Sequence, residues 1–170
     1  MASKKRRADK GLIVGVIAIA INIITVSVYV YQARIMQTQQ HASAWPYLEW
    51  LAKFNEETGY KLEVKNNGIG PAIIKSVSIR INNKELANLD SMFVQLIGTD
   101  YFPHVTSPIQ NRVLPPGESM LAFDVKDSEW SEKLYSAVGK VNFEYEICYE
   151  SIYGDQWTCK GTEVVESKCN

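Results

Sequence analysis

From Gly11 to Tyr31 the chain runs 21 residues without a charge, GLIVGVIAIAINIITVSVYVY. A helix needs about 20 such residues to cross a hydrocarbon core of ~30 Å. Twelve of the 21 are Ile, Leu or Val. Each contributes roughly −0.3 to −0.6 kcal/mol near the centre of a membrane helix, or on the order of −4 to −7 kcal/mol together. The one strongly polar residue near the middle, Asn22, costs less than the roughly +3 kcal/mol of a charged side chain. The apolar sum wins, so the segment is expected to insert into a lipid bilayer rather than to form the core helix of a globular domain.

Its flanks give the direction. Lys4, Lys5, Arg6, Arg7 and Lys10 precede the run against the single acid Asp9, whereas the remaining 160 residues hold 13 basic and 18 acidic groups. The excess of cations before the span assigns that side to the cytoplasm and residues 32–170 to the outside. It also reads the basic head as a membrane flank, so no nucleic-acid partner is expected. The run exceeds the 7–15 apolar residues of a signal-peptide core, and the one A-x-A site, Ala42-Ser43-Ala44, comes 13 residues after Tyr31. An uncleaved signal anchor is expected. Residues 32–44, QARIMQTQQHASA, hold neither Gly nor Pro and should continue the helix as a stalk of about 20 Å. Pro46 should end it, because the residue before a proline avoids the helical region. The expected division is a basic tail 1–10, a transmembrane helix 11–31, a helical stalk 32–44 and an outer domain 45–170.

One face of the anchor differs from the rest. Gly11, Gly15, Ala18, Asn22, Thr25 and Tyr29 alternate spacings of four and three, which places them along one seam. Small residues let helix backbones approach, and a polar side chain within lipid seeks a hydrogen bond across a helix pair. The seam Gly11, Gly15, Ala18, Asn22 and Thr25 is therefore expected to dock a membrane-protein partner or a second copy of the chain.

Beyond the stalk the pattern changes to period two. Lys61–Asn66, Ala72–Asn82, Met120–Val125, Val141–Ser151 and Gln156–Glu166 alternate apolar with polar residues, and Trp45–Phe54 adds another candidate strand. That alternation, with one polar face, marks antiparallel strands. Two stretches break it. Leu86, Leu89, Phe93 and Leu96 in residues 84–97 have helical spacing before Gly98, and Trp130, Leu134 and Val138 follow the N-cap candidate Asp127. Tyr101–Pro116 holds four of the six prolines and should be irregular. The expected fold is mainly β: an immunoglobulin-like antiparallel β-sandwich with one or two short helical crossovers. In Asn66–Ala72, NNGIGPA, the glycines and asparagines permit positive φ and Pro71 fixes the exit. Asn67, Gly68, Gly70 and Pro71 thus read as a structural turn. A phosphate cradle is excluded, because a strand rather than a helix follows. The aromatic cluster Trp45, Tyr47, Trp50 and Phe54 should fill the core near the membrane or rest at its interface.

Trp45-Pro46-Tyr47-Leu48, then Asn67-x-Gly-x-Gly-Pro-Ala, then Tyr153-Gly154-x-x-Trp157 resembles a group of uncharacterised bacterial single-pass inner-membrane proteins with a small β-rich periplasmic domain. The resemblance implies a place in the bacterial envelope and no activity.

All three cysteines, Cys148, Cys159 and Cys169, follow the anchor, on the expected oxidising side. Cys148 and Cys159 flank the turn at Tyr153-Gly154-Asp155. They face each other if the two-residue loop is Tyr153-Gly154 and are diagonal if it is Gly154-Asp155. A Cys148–Cys159 disulfide is expected, with Cys159–Cys169 as the alternative. In the first case Cys169 is spare or links two copies. Two histidines and no CxxC pair give none of the common zinc layouts. The acids Asp124, Asp127, Glu129 and Glu132 do not follow a calcium-loop spacing. No nucleophile has a neighbouring base, with His41 on the stalk and His104 in the proline-rich loop. Neither catalysis, metal nor cofactor is expected. The expected function is that of a membrane-anchored interaction or scaffold protein. The alternative is a ligand-sensing or transport-accessory domain of the cell envelope working through the loop Tyr101–Pro116.

Overall fold

The computed structural model describes residues 2–99 and 103–169, with side chains from Lys10 onward. The flank side chains of Lys4, Lys5, Arg6 and Arg7 and the loop residue Tyr101 lie outside what is described. The chain divides into two compact units, Met1–Ala42 and Ser43–Asn170.

The first unit is a helix, α1 (Ala2–Ser43). Its part from Lys10 to Ser43 is long and apolar enough to cross a membrane, with a mean hydropathy of 2.5 over its most apolar window, and none of that window is buried. Helix continues past Tyr31 through the segment read as a stalk and stops at Ser43, short of Pro46. A proline keeps its predecessor out of the helical region, so the stop is local chemistry.

The second unit runs β1 (Leu48–Asn55), β2 (Gly59–Asn66), β3 (Ala72–Ile81), β4 (Lys84–Leu86), α2 (Leu89–Ile97), β5 (Val105–Thr106), β6 (Val113–Leu114), β7 (Ser119–Val125), α3 (Ser128–Val138), β8 (Phe143–Glu150), β9 (Gln156–Lys160) and β10 (Glu163–Glu166). One sheet has the order β1-β2-β7-β5. The other has the order β10-β9-β8-β3-β4, with β6 also pairing β3. The described pairs are antiparallel. Alternate residues of the strands point into one core. Tyr60, Leu62 and Val64 come from β2, Phe123 and Val125 from β7, and Tyr145, Ile147 and Tyr149 from β8. Both short helices close over this core. Phe93 of α2 stacks on Phe123 with ring centroids 4.1 Å apart, and α3 buries Leu134. Asp127 caps α3 by accepting from the Trp130 N–H at 3.1 Å.

Two expected spans divide. The helix expected across residues 84–97 begins only at Leu89, because Asn82 and Asn83 both take positive φ, 49° and 66°. They reverse β3 into β4 with Ile81 opposite Lys84, a two-residue hairpin turn with left-handed geometry at both positions. Gln156–Glu166 is likewise two strands, reversed at Gly161-Thr162 with Lys160 opposite Glu163.

The aromatic cluster divides too. Trp50 packs edge-on against Phe143 at 5.6 Å and Phe54 stacks on Tyr135 at 4.7 Å. Trp45 stays at the surface, 44% exposed.

The expected Cys148–Cys159 disulfide is not formed. In the β8–β9 ladder Ile147 pairs Cys159 and Cys148 pairs Thr158. Side chains alternate across a sheet, so this register sends Cys159 to the core face and Cys148 to the outer face. The bond is Cys148–Cys169, with Cα atoms 5.6 Å apart, and Cys159 is a free, buried thiol. The alternative Cys159–Cys169 pairing fails for the same reason.

Candidate functional site

The seam residues Gly11, Gly15, Ala18, Asn22 and Thr25 all lie on α1 and are exposed. A Cβ added at Gly11 or Gly15 would meet nothing within 4 Å, so that edge of the helix has room for close approach. The polar side chains of the helix turn back on their own backbone. Asn22 Nδ2 donates to the Ala18 carbonyl at 2.8 Å, and Thr25 Oγ1 to the Ile21 carbonyl at 2.9 Å. The first bond lies within the seam and uses one N–H of the Asn22 amide.

The second feature is the neck of the outer unit, Ala44–Tyr47. It is held by the loop that follows β2. Asn67 N–H donates to the Tyr47 carbonyl at 2.7 Å, and the N–H groups of Ile69 and Gly70 donate to the Trp45 carbonyl at 3.0 and 3.2 Å. The hub of the loop is Asn66, which has no exposed surface. Its Oδ1 accepts from the N–H of Tyr47 at 3.2 Å and of Gly68 at 3.0 Å. Its Nδ2 donates to the carbonyls of Gly70 at 2.8 Å and Leu114 at 3.0 Å. One buried amide thus satisfies four backbone groups from three segments, which is what a burial of so much irregular backbone requires. The neighbouring Asn67 reaches Glu49 Oε2 at 2.6 Å on the surface. The neck also meets the second sheet: the Leu48 N–H donates to Tyr149 Oη at 3.4 Å. Burial pushes the Tyr149 phenol well above its ordinary range, with the Leu48 bond opposing that shift.

The turn Asn67, Gly68, Gly70 and Pro71 exists, but for a different reason than positive φ. None of Asn67, Gly68 and Gly70 is left-handed. The glycines are there for space. A Cβ on Gly68 would lie 2.3 Å from Tyr47 N, and one on Gly70 would lie 2.0 Å from the Ala44 carbonyl oxygen. The structure thereby joins two motifs that sequence reading kept apart, the Trp45-Pro46-Tyr47 stretch and the glycine loop. It adds Asn66, which reads in the sequence as the last residue of an alternating strand.

The disulfide candidates are on opposite faces of one sheet. Cys159 Sγ donates to the Gly161 carbonyl at 3.3 Å, and burial pushes its thiol up to about 11. Such a thiol stays protonated and unreactive at neutral pH.

Elsewhere His104 Nε2 meets Asp90 Oδ1 at 2.9 Å. Beside it an open cleft of about 500 Å³ is lined by Pro103, His104, Val105, Asp124, Lys126 and Asp127. Asp124 is 5% exposed. Among the described residues no group of three or more His, Cys, Asp or Glu is placed to hold a metal ion.

No curated protein and no solved structure matches this chain. One family does match, from the first glycine of the seam into β10, taking in the apolar run of α1, the neck and both sheets. Across residues 11–165 the chain belongs to the family described as Domain of unknown function (DUF8453).

Proposed function

We propose that this chain is a non-enzymatic, membrane-anchored interaction or scaffold protein of a bacterial inner membrane, with its N-terminus in the cytoplasm and its β domain in the periplasm. The observation that carries this reading is the apolar stretch of α1, whose most apolar part is not buried. In water so long an apolar surface is unfavourable, whereas a bilayer accommodates it at no cost to the folded domain. The basic residues before it favour the cytoplasm for that end. The Cys148–Cys169 bond supports an oxidising compartment for the other end. Resemblance to bacterial single-pass envelope proteins points the same way, and the neck clamp gives two of its motifs a shared structural role.

The strand order supports an immunoglobulin-like sandwich. The series β1-β2-β7-β5 beside β3-β8-β9 follows the ABED and CFG order of that fold, with β4 added next to β3. Such domains present loops and faces to partners, which suits a scaffold. In the membrane, Gly11, Gly15, Ala18, Asn22 and Thr25 dock a partner helix or a second copy, and the remaining N–H and carbonyl of Asn22 bond across the pair.

The test uses the full chain extracted in mild detergent and reconstituted in nanodiscs. Its mass and copurifying proteins are compared with those of Asn22→Leu. A dimer or a defined complex that is lost in the variant supports the reading. A monomer in both, with no associated protein, overturns the docking seam. Protease added outside spheroplasts should digest the β domain, and protection of it would overturn the orientation.

The cleft beside His104, with the buried carboxylate of Asp124 in its lining, favours a second reading, a ligand-sensing or transport-accessory domain. A change in hydrogen exchange confined to residues 103–106 and 124–127 on adding envelope extract would support it.

A further inference from the structure

We infer that the Cys148–Cys169 disulfide is a thiol–disulfide exchange site that takes a dithiol, and that opening it releases residues 167–169 while the core stays folded. This holds whether or not α1 docks a partner.

The bond lies outside the core. Cys148 stands between Ser76 and Thr158 on the outer face of its sheet, and neither Cys148 nor Cys169 belongs to the buried apolar cluster that includes Cys159. The segment after β10 folds back over β9 on polar contacts. Ser167 N–H donates to the Gln156 carbonyl at 3.1 Å, Cys169 N–H donates to Gln156 Oε1 at 3.0 Å, and the hydroxyls of Ser167 and Thr158 meet. Residues 167–169 are Ser, Lys and Cys, so the segment buries no large apolar side chain. Hydrogen bonds that water replaces are worth little net. With the disulfide open, little holds the strap down.

The two sulfurs differ in access. Cys148 is buried at 7% exposure and Cys169 is only partly buried, so attack falls on Cys169. One thiolate of the dithiol bonds to Cys169 Sγ. The Cys148–Cys169 bond breaks with its electron pair leaving on Cys148, which takes a proton. The second thiolate then attacks the dithiol's own sulfur in the mixed disulfide and expels Cys169 as a thiolate, which is protonated in turn. The dithiol ends as a disulfide, and Cys148 and Cys169 end as thiols. Cys159 stays out of this exchange because it lies on the opposite face, fully buried and protonated.

The experiment uses the full chain in micelles with dithiothreitol as the dithiol and an alkylating agent, read by mass spectrometry, near-ultraviolet circular dichroism and hydrogen exchange. The untreated chain should take up no tag. After the dithiol it should carry tags on Cys148 and Cys169 with its near-ultraviolet spectrum intact. The amides of Ser167 and Cys169 should lose protection by roughly tenfold or more while those of β8 keep theirs. Cys159 should be tagged only in guanidinium. Simultaneous tagging of all three cysteines, or collapse of the spectrum on reduction, would show that the bond holds the core and overturn the inference. Failure of the dithiol to open the bond at all would overturn it equally. A Cys169→Ser chain should fold with the wild-type spectrum and expose one taggable thiol, Cys148. If that variant does not fold, the strap is not separable.

Discussion

Replacing Asn66 by alanine removes four hydrogen bonds from the neck clamp in one step. The carbonyls of Gly70 and Leu114 lose their buried donor, and each orphaned group costs roughly 1–3 kcal/mol. The N–H groups of Tyr47 and Gly68 lose a partly buried acceptor, which water replaces more readily, and a small void adds to the total. The sum is roughly 3–5 kcal/mol. For a domain of this size each kcal/mol moves the melting temperature by roughly 3–5 °C, so a fall on the order of 10–20 °C is expected. The assay is a thermal melt of the full chain in micelles followed by near-ultraviolet circular dichroism, which reports packing in the β domain. Asn67→Ala is the control. It deletes one exposed bond to Glu49, worth less than about 1 kcal/mol. If the two variants melted within about 3 °C of each other, the clamp around Asn66 would not be a source of the domain's stability.

Three further outcomes follow from the same geometry. Gly70→Ala sets a Cβ 2.0 Å from the Ala44 carbonyl oxygen, where the obstacle is backbone and cannot swing away, so a melt should show a loss of roughly 2–3 kcal/mol or more. Gly117→Ala, which has open space at its Cβ but φ +78, should lose only about 1 kcal/mol. Cys159, raised from 9.0 to about 11 by burial, should make stability fall with alkali. Below the unfolded pKa the thiol is protonated in both states and costs nothing, whereas between the two values only the unfolded chain ionises. Stability should therefore drop across pH 9.0 to about 11, by roughly 3 kcal/mol in full, and the difference between wild type and Cys159→Ala should narrow over that range in urea titrations.

The elements with regular periods were readable before the structure. Val77, Ile79 and Ile81 on β3 and Tyr145 and Ile147 on β8 alternate as buried strands must, and Asp127 before Trp130 and Leu134 marked α3. What failed was set by turns and by distance. The β8–β9 loop is held by the Ser151 N–H on the Asp155 carbonyl and by Ser151 Oγ accepting from Tyr153 and Asp155. That loop shifts the register by one from the facing pairing, and a shift of one moves a side chain to the other face. The disulfide expectation turned on that single residue. Asn82-Asn83 carried a usable signal, since asparagine tolerates left-handed backbone, yet the apolar spacing after it favoured helix. Asn66 carried no local signal. It is a hub because Leu114 lies 48 residues away in the chain and adjacent in space. Likewise a glycine code does not say whether the residue is needed for its φ or for the room it leaves, and at Gly68 and Gly70 only the neck's backbone decides.

The family match begins at Gly11 and includes the whole apolar run. That bears on whether α1 is only a tether. A tether needs length and hydropathy alone, which any leucine-rich segment supplies. The seam instead spends positions on Gly, Ala, Asn and Thr while the other faces are mainly Ile and Val, and glycine weakens a helix by about 1 kcal/mol each relative to alanine in water. A chain whose residues 11–31 are replaced by an uncharged Leu/Ala segment of equal length separates the two roles. It should still resist alkaline extraction from membranes, because its span is unchanged. It should lose whatever complex or dimer the native chain forms in nanodiscs, because the seam is gone. Retention of that complex by the Leu/Ala anchor would reduce α1 to a tether and move the interaction to the β domain.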